Sequence, residues 1–183
     1  MNGRRRLEGW LAATLMLVML AGCASVPSAP EGAAGESLSG RLSVSVEARE
    51  AEPARALSAA FELSGTPETG RLDLSSPLGN VLAQARWSPL RVVLATPRGE
   101  TEYRDLDALT REVVGESLPV AALFDWLNGR PWRGAPSVPS NSDAGPGFSQ
   151  LGWDVNLAHF DEALVSARRE SPPPVTVRIK LHR

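Results

Sequence analysis

Few residues in this sequence combine the types and the spacing that catalysis or metal binding requires. His159 stands beside Asp161 and Glu162, and a histidine next to a carboxylate could act as an oriented proton acceptor. However, no Gly-x-Ser-x-Gly segment supplies the nucleophilic serine of a catalytic triad. The other histidine, His182, falls on the polar face of the last predicted strand, where we expect it to be solvated. Because the sequence also lacks a metal-ligand spacing and a phosphate-binding glycine loop, we predict a protein that is not an enzyme and holds no metal.

The single cysteine, Cys23, offers a different chemistry. Residues 1–22 have the layout of a secretory signal, with the basic cluster Arg4–Arg6 followed by the apolar run Trp10–Leu20. The run ends in Leu20-Ala21-Gly22-Cys23, which matches the bacterial lipobox. We therefore interpret residues 1–22 as a lipoprotein signal peptide and Cys23 as the residue that receives a diacylglyceryl group and an N-acyl chain. No other cofactor is predicted. The alternative is an ordinary signal that a cysteine follows by chance.

The residues after Cys23 indicate where such a lipoprotein would be held. Residues 23–37 are rich in Ala, Ser, Pro, Gly and Glu, a composition that favours a flexible tether. No aspartate follows the cysteine, so outer-membrane sorting is predicted, with the domain on the periplasmic face. The chain has 19 basic and 21 acidic side chains; the leader holds three and one of these, which leaves a net charge of −4. An acidic domain of this kind argues against nucleic-acid binding.

A hairpin within residues 70–87 is the most distinctive part of the remaining chain. Leu72 and Leu74 alternate with polar residues, and a second strand is predicted over residues 81–87. Between them Ser76-Pro77-Leu78-Gly79 has the composition of a turn, which places Leu78 at the tip. Two interpretations are open. Leu78 could fold back over a neighbouring residue, or it could act as a small wedge that touches a membrane.

The rest of the pattern predicts an antiparallel meander that two helices interrupt. Alternation or β-branched content indicates further strands at 40–46, 57–63, 91–96, around Tyr103, and at 148–151, 153–157, 163–169 and 175–181, roughly ten in all. The first helix contains Leu106, Leu109 and Val113, begins at Asp105 or Asp107 and ends at Gly115; the second begins at Pro119 and ends before Gly129. Residues 130–147 are predicted to be a loop. Both helices should pack on one face of the sheet.

These residues together resemble the LolB family of outer-membrane lipoprotein receptors over about residues 38–181. The segments that carry the resemblance are Leu20-Ala21-Gly22-Cys23, Gly40-Arg41-Leu42, Leu72-Asp73-Leu74-Ser75-Ser76-Pro77-Leu78-Gly79, Leu118-Pro119-Val120 with Leu123, Trp126-Leu127 with Gly129, and Gly152-Trp153. The last residues, Leu181-His182-Arg183, depart from the aromatic ending that many members carry.

The resemblance implies an α+β fold for residues 38–183, an open antiparallel half-barrel with a helical lid over an apolar cavity. It also implies a function: a monomer, anchored in the outer membrane, accepts lipoproteins from the periplasmic carrier LolA. The protein then inserts this cargo into the inner leaflet of the outer membrane without ATP, while the cavity holds the acyl chains. Leu78 matches the protruding-loop leucine of the family, so Pro77, Leu78 and Gly79 are the predicted membrane-insertion loop.

The lining of such a cavity can be proposed only from the predicted faces of the elements. The candidates are Phe61, Leu72, Leu74, Leu123, Trp126 and Trp153. Ordinary core packing is an equal interpretation for each of them, and for Trp87 it is the favoured interpretation. The alternative class of function is a structural or assembly-factor outer-membrane lipoprotein that has no lipid-binding cavity.

Overall fold

The computed structural model describes residues 35–50, 52–142 and 145–182. Eleven strands and two helices lie within these ranges. The strands are β1 Glu36–Val46, β2 Arg55–Gly65, β3 Gly70–Ser75, β4 Val81–Ser88, β5 Arg91–Thr96, β6 Gly99–Tyr103, β7 Ser137–Ser142, β8 Gly145–Gln150, β9 Trp153–Asn156, β10 Leu164–Arg169 and β11 Val175–Leu181. The helices are α1 Leu106–Val114 and α2 Val120–Trp126. The predicted signal peptide, Cys23 and most of the predicted tether lie outside the described residues.

All eleven strands belong to one open antiparallel sheet in the order β6-β5-β4-β3-β2-β1-β11-β10-β9-β8-β7. The first and last strands are therefore neighbours in the middle of the sheet, paired from Gly40–Leu181 to Val46–Val175. The strands β2–β6 form one arm, and β7–β10 form the other. The predicted antiparallel sheet with two helices is confirmed, and it is consistent with a curved half-barrel.

The core lies on one face of the sheet because the strands alternate as the sequence pattern predicts. In β11, Val175, Val177, Ile179 and Leu181 are buried, while Arg178 and Lys180 between them are exposed. The last strand thus packs through Leu181 without an aromatic ending. The helices contribute to the same buried cluster as the inward faces of the strands. None of the helices among the described residues is both long enough and apolar enough to cross a bilayer.

Helix α1 begins after Asp105, one of the two predicted caps, and ends at Gly115 as predicted. The Asp105 side chain accepts a hydrogen bond of 2.7 Å from the backbone N–H of Ala108, which caps the helix. Gly115 ends it in the left-handed region, with φ of 90°.

Helix α2 connects the two arms of the sheet. The Phe124 ring lies 6.2 Å from Trp87 of β4, edge to face. Two residues further on, Trp126 lies 6.3 Å from Phe148 of β8 and 6.4 Å from Trp153 of β9. Because these partners lie on opposite arms, α2 spans the concave side of the sheet at this point.

The prediction that residues 130–147 form a loop holds for residues 130–136 and is wrong for residues 137–142 and 145–147. Strand β7 and the first residues of β8 lie in this range, and they pair from Ser137–Gln150 to Ser142–Gly145. The strand has no apolar alternation, and Pro139 cannot donate a ladder hydrogen bond. Such a strand is tolerated because β7 has a partner on one side only. It adds an eleventh strand to the ten expected.

Candidate functional site

The turn between β3 and β4 presents Leu78 to solvent. The backbone N–H of Ser76 donates to the carbonyl of Asn80 at 2.8 Å, and that of Gly79 donates to the carbonyl of Ser76 at 2.9 Å. Gly79 has a φ of 84°, a conformation that glycine adopts at little cost. Leu78 is 90% exposed, so it does not fold back over a neighbour. Pro77 and Gly79, which flank it, are exposed as well.

The tip lies at the end of the sheet opposite to the point where the chain enters. The cross-strand row at the entry end runs through Glu36, Gly65, Gly70 and Trp87. Strand β4 finishes at that row and continues into the turn that holds Leu90, whereas Leu78 precedes the other end of β4. The first described residues, Gly35 and Glu36, therefore lie at the end of the sheet away from Leu78.

An apolar cleft of about 80 Å³ lies between the sheet and the helices. Inward side chains of β1–β5 and β11 line it, together with residues of α1 and α2. Three of the predicted lining residues, Leu72, Leu74 and Leu123, are among them. Val113 also lines the cleft and is partly exposed, so the cleft reaches solvent beside α1.

The cleft exists because small side chains face large ones across β3 and β4. Leu72 pairs with Ala85, and Leu74 pairs with Ala83. Both alanines line the cleft. Sequence reasoning missed them as site residues. The signal is nevertheless present in the sequence: alanines occupy two successive inward-facing positions of β4, and the large Trp87 occupies the next one.

The other three lining candidates lie elsewhere in the core. Phe61, Trp126 and Trp153 are buried, and they are not among the residues that line the cleft. Trp126 packs on Trp153, and its indole N–H donates to the side-chain oxygen of Gln150 at 2.8 Å.

Gln150 is the centre of a buried polar network that sequence reasoning missed. Its oxygen also accepts from the backbone N–H of Trp132, at 2.9 Å. Its amide nitrogen donates to the carbonyls of Trp132 and Ala135, each at 2.7 Å. One side chain therefore ties the segment after α2 to β8, and this network fixes α2 over the sheet.

A second polar contact fixes the connection between the helices. The carboxylate of Glu116 accepts from Arg49 at 2.8 Å and from Arg169 at 2.7 Å. The side chains of Glu116 and Arg169 are only 16% exposed, and the guanidinium of Arg169 lies 5.4 Å from the ring centre of Trp153. The interhelical segment is thus held both to the β1–β2 connection and to β10.

His159, the residue considered for catalysis, is paired with a carboxylate on the surface. His159 contacts Glu162 at 3.1 Å, and both side chains are exposed. The described residues contain no group of three or more possible metal ligands of the His, Cys, Asp or Glu type.

A larger groove, of about 450 Å³, lies over β8–β11 and is lined by residues such as Asp154, Arg168 and Arg178. Arg168 donates to Glu170, and this hydrogen bond lowers the pKa of Glu170 and raises that of Arg168. Because charged and polar side chains line the groove, it is unsuited to hold acyl chains.

Comparisons with known proteins agree with the resemblance. The family described as "Outer membrane lipoprotein LolB" matches residues 37–183. The outer-membrane lipoprotein LolB of Bordetella petrii is 36% identical, in an alignment that covers 95% of this chain and 92% of that protein. The LolB protein of Cupriavidus pinatubonensis is also 36% identical, with 100% of this chain and 89% of that protein covered. The LolB protein of Bordetella parapertussis is 33% identical over 93% of this chain.

Proposed function

The chain belongs to the LolB family of outer-membrane lipoproteins, and on this premise we propose that it accepts lipoproteins from a LolA-type periplasmic carrier. It then inserts them into the inner leaflet of the outer membrane. A lipidated Cys23 anchors it on the periplasmic face, and the protein acts as a monomer without ATP. The acyl chains of the cargo pass from the carrier into the apolar cleft and from there into the bilayer.

The physical reason for direct transfer is the cost of exposing acyl chains to water. Each CH₂ group that leaves an apolar environment for water costs about 0.8 kcal/mol, so a chain of ordinary length cannot cross the periplasm alone. The cleft lined by Leu72, Leu74 and Leu123 offers a continuous apolar surface. At about 80 Å³ it is smaller than the cavity of about 150 Å³ that admits benzene. The helices must therefore move away from the sheet when an acyl chain enters.

The observation that carries the proposal is the exposure of Leu78 at the tip of the β3–β4 hairpin. Full burial of one leucine contributes about 1.5–3 kcal/mol. Such a contribution is too small to anchor a protein. It is large enough to orient a tethered domain, so that cargo leaves toward the bilayer that Leu78 touches.

The small volume of the cleft favours a second candidate, a structural or assembly-factor outer-membrane lipoprotein without lipid binding. A solvatochromic fatty-acid probe separates the two. The chain that begins at Ala24 should bind the probe with a blue-shifted emission if acyl chains enter the cleft. A structural lipoprotein should leave the emission unchanged.

The decisive experiment is a transfer assay. A LolA-type carrier loaded with a lipoprotein is mixed with the chain that begins at Ala24, and the two are separated by an affinity tag on the carrier. We expect the cargo to move to the acceptor and, after liposomes are added, into the liposome fraction. Cargo that stays on the carrier at every acceptor concentration would overturn the proposal.

A further inference from the structure

The β3–β4 hairpin contains a β-bulge that exposes two more apolar residues beside Leu78. Leu74 pairs with Ala83 and Ser75 pairs with Val81, so Leu82 is an extra residue in β4 without a partner in β3. The inward positions of β4 are Ala83, Ala85 and Trp87. Strict alternation would place Val81 inward as well, but the bulge breaks the alternation at this point.

The exposure of these residues follows from the bulge. Val81 is 62% exposed and Leu82 is 38% exposed. Together with Leu78 they give three exposed apolar side chains within five consecutive residues. We call Leu78, Val81 and Leu82 the apolar tip. Elsewhere in the described residues a singly exposed residue such as Leu90 has no comparable group of apolar neighbours in its own turn.

The segment that carries the apolar tip contains no charged residue. The ten residues from Leu74 to Ala83 include no acidic or basic side chain. The nearest charges in the sequence before them are Asp73 and Arg71, which form an ion pair of 2.6 Å with each other. A surface that enters the acyl region of a bilayer must not bring unpaired charges with it, because their desolvation is costly.

We propose that the whole apolar tip, and not Leu78 alone, inserts into the lipid bilayer, with Val81 and Leu82 as additional membrane contacts. This inference rests on the proposed function, and it adds the residues that determine how strongly the domain binds lipid. The occupant is a bilayer because the tip is convex and uncharged. A protein partner would have to provide a matching pocket with a polar rim, whereas fluid acyl chains adapt to any protruding apolar shape.

The test compares binding to vesicles of phosphatidylcholine alone and of phosphatidylethanolamine with phosphatidylglycerol. It uses the chain that begins at Ala24, because all the strands, helices and buried residues of the described part of the chain lie within residues 36–181. The double variant Val81→Thr and Leu82→Thr keeps β-compatible side chains at both positions. We expect its partition coefficient to fall about tenfold on both kinds of vesicle, the factor that partial loss of two apolar contacts implies.

Val138→Thr is the matched control, because Val138 is 67% exposed on the edge strand β7. It should bind vesicles as the unchanged chain does. A second measurement uses the fact that Cys23 is the only cysteine. The chain from Ala24 is cysteine-free, so a fluorophore can be attached at Val81→Cys, Leu82→Cys or Val138→Cys. We expect a blue shift with vesicles at the first two positions and none at the third.

The outcomes separate this inference from the proposed function. Normal vesicle binding by the Val81/Leu82 variant, with a defect in Leu78→Glu alone, would confine the contact to Leu78 and overturn the inference, while the transfer function stands. If the Val81/Leu82 variant no longer accepts cargo from the carrier but still binds vesicles normally, the apolar tip contacts the carrier and not the bilayer. That result would also overturn the inference. If cargo never leaves the carrier for the unchanged chain, the proposed function fails independently of the vesicle result.

Discussion

Leu78 and Leu90 lie at opposite ends of the same strand, β4, and each is the third residue of a Ser-Pro-Leu turn. Their exposures are nearly equal, 90% and 95%. They differ in position, since Leu90 lies at the end of the sheet where the chain enters through Glu36. This pair allows the effect of an exposed leucine to be separated from the effect of its place in the fold.

We predict that Leu78→Glu keeps the fold and accepts cargo but does not release it into liposomes. A carboxylate at the tip cannot enter the acyl region, so the contribution of about 1.5–3 kcal/mol from the leucine is lost. The measurement is the fraction of loaded lipoprotein that floats with liposomes. Leu90→Glu is the control and should deliver cargo normally. Equal delivery by the two variants would contradict a special role for Leu78.

A second prediction concerns the space beside Ala85. In Ala85→Leu the larger side chain should fill much of the cleft of about 80 Å³, since Ala85 lies between Leu72 and Leu94 on the neighbouring strands. We expect the affinity for a solvatochromic fatty-acid probe to fall at least about tenfold. The stability should change by less than about 3 kcal/mol, the usual range for added core volume.

Ala60→Leu makes the same change in volume at an outward-facing position of β2. It should leave probe binding unchanged in the same fluorescence titration. Probe binding that survives in Ala85→Leu would place the acyl chains elsewhere.

A third prediction tests the ion pairs that Glu116 forms with both Arg49 and Arg169. In Glu116→Gln the charge that Arg49 and Arg169 share is lost, and the two guanidinium groups are left close together without an anion between them. We expect the free energy of unfolding in urea to fall by about 1–3 kcal/mol, because the Arg169 side is largely buried.

The control is Glu102→Gln. Glu102 pairs with Arg91 at 3.0 Å, but both side chains are well exposed. Exposed pairs contribute about 1 kcal/mol or less, so the same urea titration should show a small change. If the free energy of unfolding falls equally in the two variants, Glu116 does not hold the interhelical segment in place.

A fourth prediction concerns the buried amide of Gln150. Gln150→Leu should leave the indole N–H of Trp126 and the backbone groups of Trp132 and Ala135 without partners. Each buried polar group that loses its partner costs about 1–3 kcal/mol, so we expect a total loss of at least about 3 kcal/mol in thermal or urea unfolding. Ser149→Ala, which removes an exposed contact to Asp154, should change stability by less than about 1 kcal/mol.

A fifth prediction concerns the length of chain between Cys23 and Glu36. By the cross-strand register, Ser75 is level with Arg41, which lies about five residues along the strand from Glu36, or about 17 Å at 3.3 Å per residue, and Leu78 lies beyond Ser75 at the turn. The intervening residues can span about 40 Å when fully extended. Deletion of residues 26–33 leaves about 15 Å, so Leu78 could no longer reach the bilayer that holds the anchor.

The measurement uses the full lipidated protein reconstituted in liposomes, with delivery from the loaded carrier into the same liposomes. The shortened chain should deliver cargo several-fold more slowly. Replacement of residues 26–33 by an equal number of Gly and Ser residues should preserve delivery, since length and not sequence is at issue. Normal delivery by the shortened chain would contradict this geometry.

The features that the sequence predicts well are those that a local pattern determines. The position of Leu78 at a hairpin tip follows from a four-residue turn, the end of α1 follows from Gly115, and the last strand follows from alternation within residues 175–181. In each case the residues that decide the structure are adjacent in the chain.

The features that the sequence does not predict depend on partners across the sheet. Strand β7 is polar and contains Pro139, and only its pairing with β8 makes it a strand. The bulge at Leu82 and the cleft beside Ala85 depend on which residues of β3 lie opposite. Gln150 reads as an ordinary polar residue at a strand end, and its four contacts all lie at least 15 residues away in the chain.

The pairing of β1 with β11 has a consequence for how this chain acquires its structure. The seam between the two arms cannot close until β1 meets β11, which follows it by about 130 residues. Contacts of such large sequence separation form slowly, because the ends of a long segment must meet first. The seam between the two arms is therefore expected to form late in folding, after hairpins within each arm such as β3–β4 have formed.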